Sequence, residues 1–132
     1  MNELLNNKEK IVVWLNIHRL ENYTLISDSK DGFIVDVAGD VDLYDKALQY
    51  IPAQFNSVLG HFYCHDNKLS SLEGGPTSVG VGFYCGDNNG LGEYQKMIDF
   101  KVIKEKILSD KEKKSLSESL DNSNLKSTAL KL

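Results

Sequence analysis

Phe62-Tyr-Cys-His-Asp-Asn67 and Phe83-Tyr-Cys-Gly-Asp-Asn88 are near copies of one another, set 21 residues apart. The same offset holds outward from this pair. Val41 aligns with Phe62 and Phe83, Leu43 with Cys64 and Cys85, and Asp45 with Asp66 and Asp87. Leu48 matches Leu69, Ile51 matches Leu72 and Val58 matches Val79. An internal period of this length signals a solenoid: one coil cannot bury its own apolar side, whereas stacked coils share a continuous core. Residues 37–91 hold about two and a half such units.

Within the second unit the pattern reads Leu59-x-x-Phe62-x-Cys64-x-x-Asn67-x-Leu69-x-x-Leu72. This fits the leucine-rich-repeat signature. Alternation along a short strand turns Phe62 and Cys64 inward. Asn67 can bond the backbone of the adjacent turn, where no strand partner is at hand. Leu69 and Leu72 close the coil, and Gly74-Gly75-Pro76 turns the chain back. The expected structural core is Val41, Leu43, Leu48, Ile51, Phe62, Cys64, Asn67, Leu69, Leu72, Phe83, Cys85 and Asn88. Two departures stand out. Lys46 occupies the first-unit position of Asn67 and Asn88, and the third unit stops after Asn88-Asn-Gly-Leu91 without a return segment.

These residues resemble those of small leucine-rich-repeat-like proteins of tailed bacteriophages and bacteria. The shared string runs Phe62, Cys64, Asn67, Leu69, Leu72, Gly74, Pro76 and Val79. The similarity extends upstream through Trp14-Leu15, Glu21-Asn-Tyr23 and Val35-Asp-Val37-x-Gly39-Asp-Val41-x-Leu43, and covers roughly residues 10–91. The resemblance implies a phage-encoded scaffold acting in the cytoplasm of a bacterial host cell. It implies no particular chemistry.

The flanks read as helical. All ten glycines and both prolines lie between Gly32 and Gly92, which leaves strands and turns in the middle. Ile11, Val12, Leu15 and His18 recur at helical spacing, with Trp14 widening the apolar face, so a helix from about Glu3 or Lys8 to His18 is expected. Tyr23–Ile26 and Phe33–Val37 read as strands of a hairpin around a turn-rich segment that ends in Asp31-Gly32. Tyr94, Met97, Ile98, Val102, Ile103 and Ile107 predict a one-sided helix over about Gly92 to Leu108. Ser109 and Glu112 suggest a capping box for a further short helix bearing Leu116 and Leu120. Residues 121–132 read as a flexible tail. The expected fold is thus a single α/β domain over 1–132, a short leucine-rich-repeat-like solenoid. A helix-hairpin cap over 1–36 would close one end and a helical cap over 92–120 the other.

Composition narrows the function. The 132 residues carry 15 basic and 19 acidic side chains, a net charge of −4. That argues against general affinity for nucleic acid or for an anionic membrane. The charge is uneven: residues 31–100 hold ten acids and three bases, net −7. No apolar run reaches the ~20 residues of a spanning helix. The first residues have neither a basic start nor a long apolar stretch, so no signal peptide is expected. Two cysteines cannot build a disulfide framework. Cys64 and Cys85 read as small core residues in a ladder. No nucleophile elbow, phosphate loop or His-Glu-x-x-His occurs, so neither an enzyme nor a cofactor is expected. His61, Cys64 and His65 invite a metal reading, but alternation sends Cys64 to the face opposite both histidines. The recurring aspartates Asp45, Asp66 and Asp87 are expected to bond nearby backbone in turns.

The outward strand face is the more informative feature. Alternation presents Asp40, Asp42 and Tyr44, then His61, Tyr63 and His65, then Gly82, Tyr84 and Gly86. Tyrosine combines contact area with a polar tip and suits protein interfaces. Asp40, Asp42, Tyr44, His61, Tyr63, His65 and Tyr84 are therefore the expected partner-binding residues. The expected function is a non-enzymatic interaction module that binds, and in one form inhibits, a host bacterial protein such as a defence component. The alternatives are an assembly role through self-association of the C-terminal helical tail and, less favoured, a small metal-binding protein or enzyme using His61, His65 and the aspartates.

Overall fold

A computed structural model describes residues 4–28 and 32–113 of the chain. Helix α1 spans Lys8–Ile17, and its first turn is capped by Asn7, whose Oδ1 accepts from the Lys10 amide at 3.1 Å. Ile11 and Leu15 are fully buried beneath it. Strands β1 (Tyr23–Asp28) and β2 (Gly32–Val37) form an antiparallel pair with Tyr23 opposite Val37. Short strands follow: β3 (Val41–Asp42), β4 (Phe55–Val58), β5 (His61–Tyr63), β6 (Ser78–Val79) and β7 (Gly82–Tyr84).

These strands make two small sheets. One is mixed, in the order β1-β2-β4-β6, and the other is parallel, in the order β3-β5-β7. With α1, a 3-10 helix over Asn89–Lys96 and helix α2 over residues 100–113, the described residues form a mixed α/β fold. The expected leucine-rich-repeat-like solenoid is not what forms. The hairpin does not close an end as a separate cap, because β2 pairs directly with β4 and so contributes to the four-stranded sheet. The strands outside that hairpin are only two to four residues long. After β7 the chain goes into the 3-10 helix instead of returning to the first sheet. The 21-residue offset survives as strand register: Val58 lies beside Val79, and Val41, Phe62 and Phe83 lie in line.

The inner faces of the two sheets enclose one core. Phe62 and Phe83 stack at 5.0 Å with their planes 3° apart, and Phe55 meets Phe62 edge-on at 5.3 Å. All three rings are buried, as are Val35, Val37, Val41, Leu43, Ile51, Cys64, Leu69, Leu72 and Cys85. Leu48 is half-buried against this cluster. Truncating a ring such as Phe62 to alanine would cost about 3–5 kcal/mol. Tight corners join the sheets. At Gly60 a side chain would collide with the Gly39 backbone and the Asp40 carboxylate, so only glycine lets the chain pass.

Two buried amide side chains hold successive segments together. Asn67 Oδ1 accepts from the amides of Lys46 and Leu48, each at 2.9 Å. Its Nδ2 donates to the carbonyls of Leu43, Cys64 and His65 at 2.7–3.2 Å. Asn88 does the same one segment on, accepting from Leu69 and donating to Cys64, Cys85 and Gly86. Just before each asparagine the backbone turns left-handed, at Asp66 (φ 58°) and Asp87 (φ 53°). Asp45 shares this conformation at φ 55°. Aspartate tolerates it better than most residues, which accounts for the recurring acid without any carboxylate site.

The C-terminal part departs from the expected helix over 92–108. The 3-10 helix breaks at Gly92 (φ 58°), and Ile98 is 80% exposed. Helix α2 starts only at residue 100, where Asp99 caps it by accepting from the Lys101 amide at 3.0 Å. Ser109 and Glu112 lie within α2 and cap no new helix. The reading of Leu116, Leu120 and the 121–132 tail falls outside the described residues. Ile103 and Ile107 are fully buried. Asp110, 8% exposed, accepts from the Leu72 amide at 2.7 Å and pairs with Lys106 at 3.0 Å. Lys111 donates to the Glu73 carbonyl, and its burial draws its pKa below the usual lysine value.

Asn88→Ala should cost about 3 kcal/mol, because it leaves the Leu69 amide and the Cys85 carbonyl buried and unpaired. Urea denaturation measures this. A loss under about 0.5 kcal/mol would mean that water replaces the side chain and that the amide is not what joins the segments.

Candidate partner-binding surface

Alternation in the parallel sheet sorts its side chains. Phe62, Cys64, Phe83 and Cys85 are buried, while His61, Tyr63, His65 and Tyr84 stand half-exposed on the outer face. Register then sets the outer residues in rows across the strands. Asp42, Tyr63 and Tyr84 share one row, and His61 faces Gly82 in the next. Tyr63 and Tyr84 stack at 5.1 Å with planes 15° apart. His61 sits beside both, 5.3 Å from Tyr63 and 5.7 Å from Tyr84, and Tyr44 meets His65 at 4.5 Å. The Tyr84 hydroxyl reaches 3.2 Å from His61 Nδ1. It does so by leaning across Gly82, where a Cβ would sit only 2.5 Å from that hydroxyl. Glycine at position 82 is therefore a requirement of the ring layer.

The expected site residues thus share one surface, but the two acids also have structural duties. Asp40 Oδ1 accepts from the His61 amide at 2.7 Å, across the strand boundary. Asp42 Oδ1 accepts from the Tyr44 amide at 3.1 Å and turns the chain after β3. Both remain exposed. The Tyr63 phenol is held above its ordinary pKa, chiefly because neighbouring groups displace water from it. The negative charge of Asp40, the Tyr84 phenol and Asp42 add to the effect. Nδ1 of His65 is buried and has no hydrogen-bond partner among the described residues.

The inner face carries no reactive chemistry. Cys64 and Cys85 are free and buried. Burial pushes the Cys64 thiol well above the usual range, with Cys85 adding to the shift, and pushes Cys85 up to about 11. Cys85 donates its thiol hydrogen to the Tyr94 carbonyl at 3.3 Å. Among the described residues, no three His, Cys, Asp or Glu side chains converge as metal ligands. His61 and His65 stand apart from Cys64, on the opposite side of the sheet.

Sequence reasoning passed over one surface. Along α1, Leu5, Glu9, Lys10, Val13, Trp14 and Ile17 line an open apolar hollow of about 370 Å³. Val13 and Ile17 are 56% and 68% exposed. The signal was an apolar stripe too wide for the buried Ile11 and Leu15 alone. No helix among the described residues is long and apolar enough to cross a membrane. Comparison with protein-family models, with curated proteins and with solved structures yields no match to the chain.

Three measurements follow from these environments. In native protein at pH 8 neither cysteine should react with a small disulfide reagent, since thiolate is the reactive form and both thiols are buried and held protonated. Rapid native labelling would place a thiol at the surface. The Cys85 thiol starts from 9.0 and is raised to about 11. Its contribution to stability is therefore complete below pH 9 and fades as pH climbs through 11. Cys85→Val should flatten that alkaline loss in denaturant midpoints measured from pH 8 to pH 11. For Tyr63, ultraviolet titration should show a phenol ionising above pH 10, and Asp40→Asn with Asp42→Asn should bring it down. An unmoved titration would separate the carboxylates from the ring.

Proposed function

We propose that the protein is a non-enzymatic interaction module whose outer β3-β5-β7 face docks on a protein surface. One observation carries this reading: five rings, Tyr44, His61, Tyr63, His65 and Tyr84, are packed against one another on the outer sheet face. Holding them in place in the free protein removes much of the side-chain ordering cost of association. Tyrosine is also among the residues that dominate interface energies. A face of five rings gives a partner contact area, and the phenols and imidazoles give it polar fixing points. The module acts by occupying a surface, and a host bacterial protein as target, with inhibition as the outcome, is the form the family resemblance suggests.

Tyr63→Ala combined with Tyr84→Ala should lower affinity for the captured native partner at least tenfold. The two rings lie on the sheet exterior, so the folding midpoint should move little beyond what the lost ring stack explains. Ile98→Ala, at an exposed site outside this face, should leave affinity unchanged. Capture that survives the tyrosine pair with its affinity intact would remove this face from the binding reaction.

A further inference from the structure

The ring layer is lopsided, and the asymmetry selects a partner chemistry. In the central row Tyr84 covers one face of the Tyr63 ring. On the other side, one strand away, register places Asp42 instead of a third ring. Parallel strands lie about 4.8 Å apart, and an aspartate is too short to stack on a tyrosine across that gap. Of the other rings that meet Tyr63, His61 also touches Tyr84 and so lies toward that side, and His65 is tilted at 6.0 Å; the side toward β3 is bordered by the Asp42 carboxylate. Asp40 lies one row along from Asp42, and Tyr44, on the other side, is packed on His65. The elevated Tyr63 ionisation reports both carboxylates in electrostatic reach of its hydroxyl. No lysine or arginine stands among the outward residues of these three strands, and residues 31–100 as a whole are net −7.

An aromatic face beside an acid is the arrangement that a planar cation satisfies best. A guanidinium stacks on a ring through cation–π attraction and lends its N–H fork to a carboxylate at the same time. An ammonium makes the charge contact but not the planar stack. We propose that the open side of Tyr63, with Asp42 and Asp40, receives an arginine side chain from a basic segment of the partner protein. This rests on the reading of the β3-β5-β7 face as the docking surface, and it adds the partner's chemistry to that reading. The charge of this part of the chain disfavours a polyanion as occupant and favours a cationic peptide through steering as well as contact.

The test is a nitrogen-15 NMR titration of the full chain with a blocked Gly-Arg-Gly-Arg-Gly peptide. The matching glutamate peptide and a uridine oligonucleotide serve as comparison probes. The arginine peptide should shift the amides of Asp42, Tyr44, Tyr63 and Tyr84 in a saturable manner, and raising the salt from 50 to 500 mM should weaken the effect severalfold. Asp42→Asn retains an acceptor for the Tyr44 amide and removes only charge, so it should weaken the peptide at least threefold with the spectrum otherwise intact. Tyr63→Leu should do likewise. Equal shifts from the glutamate peptide, binding of the oligonucleotide at these residues, or indifference to Asp42→Asn would each overturn the proposal. Failure of the broader reading looks different. If native partner binding ignores the Tyr63 and Tyr84 substitutions while the arginine peptide still titrates Tyr63, the cation site stands and the docking surface lies elsewhere. If the tyrosine pair abolishes partner binding but Asp40→Asn with Asp42→Asn leaves it intact, the surface stands and the arginine assignment falls.

Discussion

Asn67 and Asn88 do at the bends of this chain what strand ladders do within its sheets. After β5 and after β7 the backbone leaves the sheet and swings through a left-handed residue, so amides and carbonyls turn inward where no neighbouring strand can meet them. A buried peptide group without a partner is costly. One primary amide offers an acceptor and two donors, and each asparagine directs that whole set at backbone groups of its own segment and of the one before. The core rings stack on paired strands, and these bonds carry the same alignment of segments on through the bends. At the C-terminal side the same need is met differently: Asp110, arriving from α2, supplies the acceptor for the Leu72 amide.

The outer ring layer inherits its order from that inner spacing. Tyr63 and Tyr84 stack nearly in parallel because Phe62 and Phe83 beneath them do, on strands held in line by the same register. Recognition by such a surface costs little rearrangement. The rings are already packed on one another, and two of the acids that border them are fixed through bonds to main-chain amides. Pre-organisation of this kind shifts the burden of binding from ordering side chains to matching shape and charge.

Which residues would meet was plainer in the sequence than what they would build. The 21-residue spacing named the pairs that became register partners, because side-chain type at matched positions is a direct imprint of shared surroundings. Alternation then separated Phe62 and Cys64 from His61, Tyr63 and His65, since a strand has only two sides. The larger architecture did not follow. A short-range pattern carries no information on whether β2 closes an end or joins the next strand, and it joined β4. Nor did apolar spacing locate α2. Ile98 fell into the helical pattern, yet Gly92 broke the chain before it and Asp99 capped a new helix after it, so the side chain was left in solvent. Lys46 stands where an asparagine recurs later, and the asparagine bonding starts with Asn67, whose acceptor receives the Lys46 amide. The secondary duties of Asp40 and Asp42 were hidden, because a carboxylate that bonds a main-chain amide, 21 residues away for Asp40 and two for Asp42, looks the same in sequence as one that faces only water.

The corners between the two sheets carry a mechanical consequence. Only Leu59 and Gly60 separate β4 from β5, and only Gly80 and Val81 separate β6 from β7. These corner residues are themselves bonded across segments, with the Gly80 amide donating to Val58 and the Val81 amide to Gly60. Such a short link has no slack. If one sheet slipped by a residue, the other would have to slip with it, and buried side chains on both would be thrown outward together. The two sheets are phase-locked, and the loss of a single residue at either corner, Leu59-Gly60 or Gly80-Val81, would be felt in both.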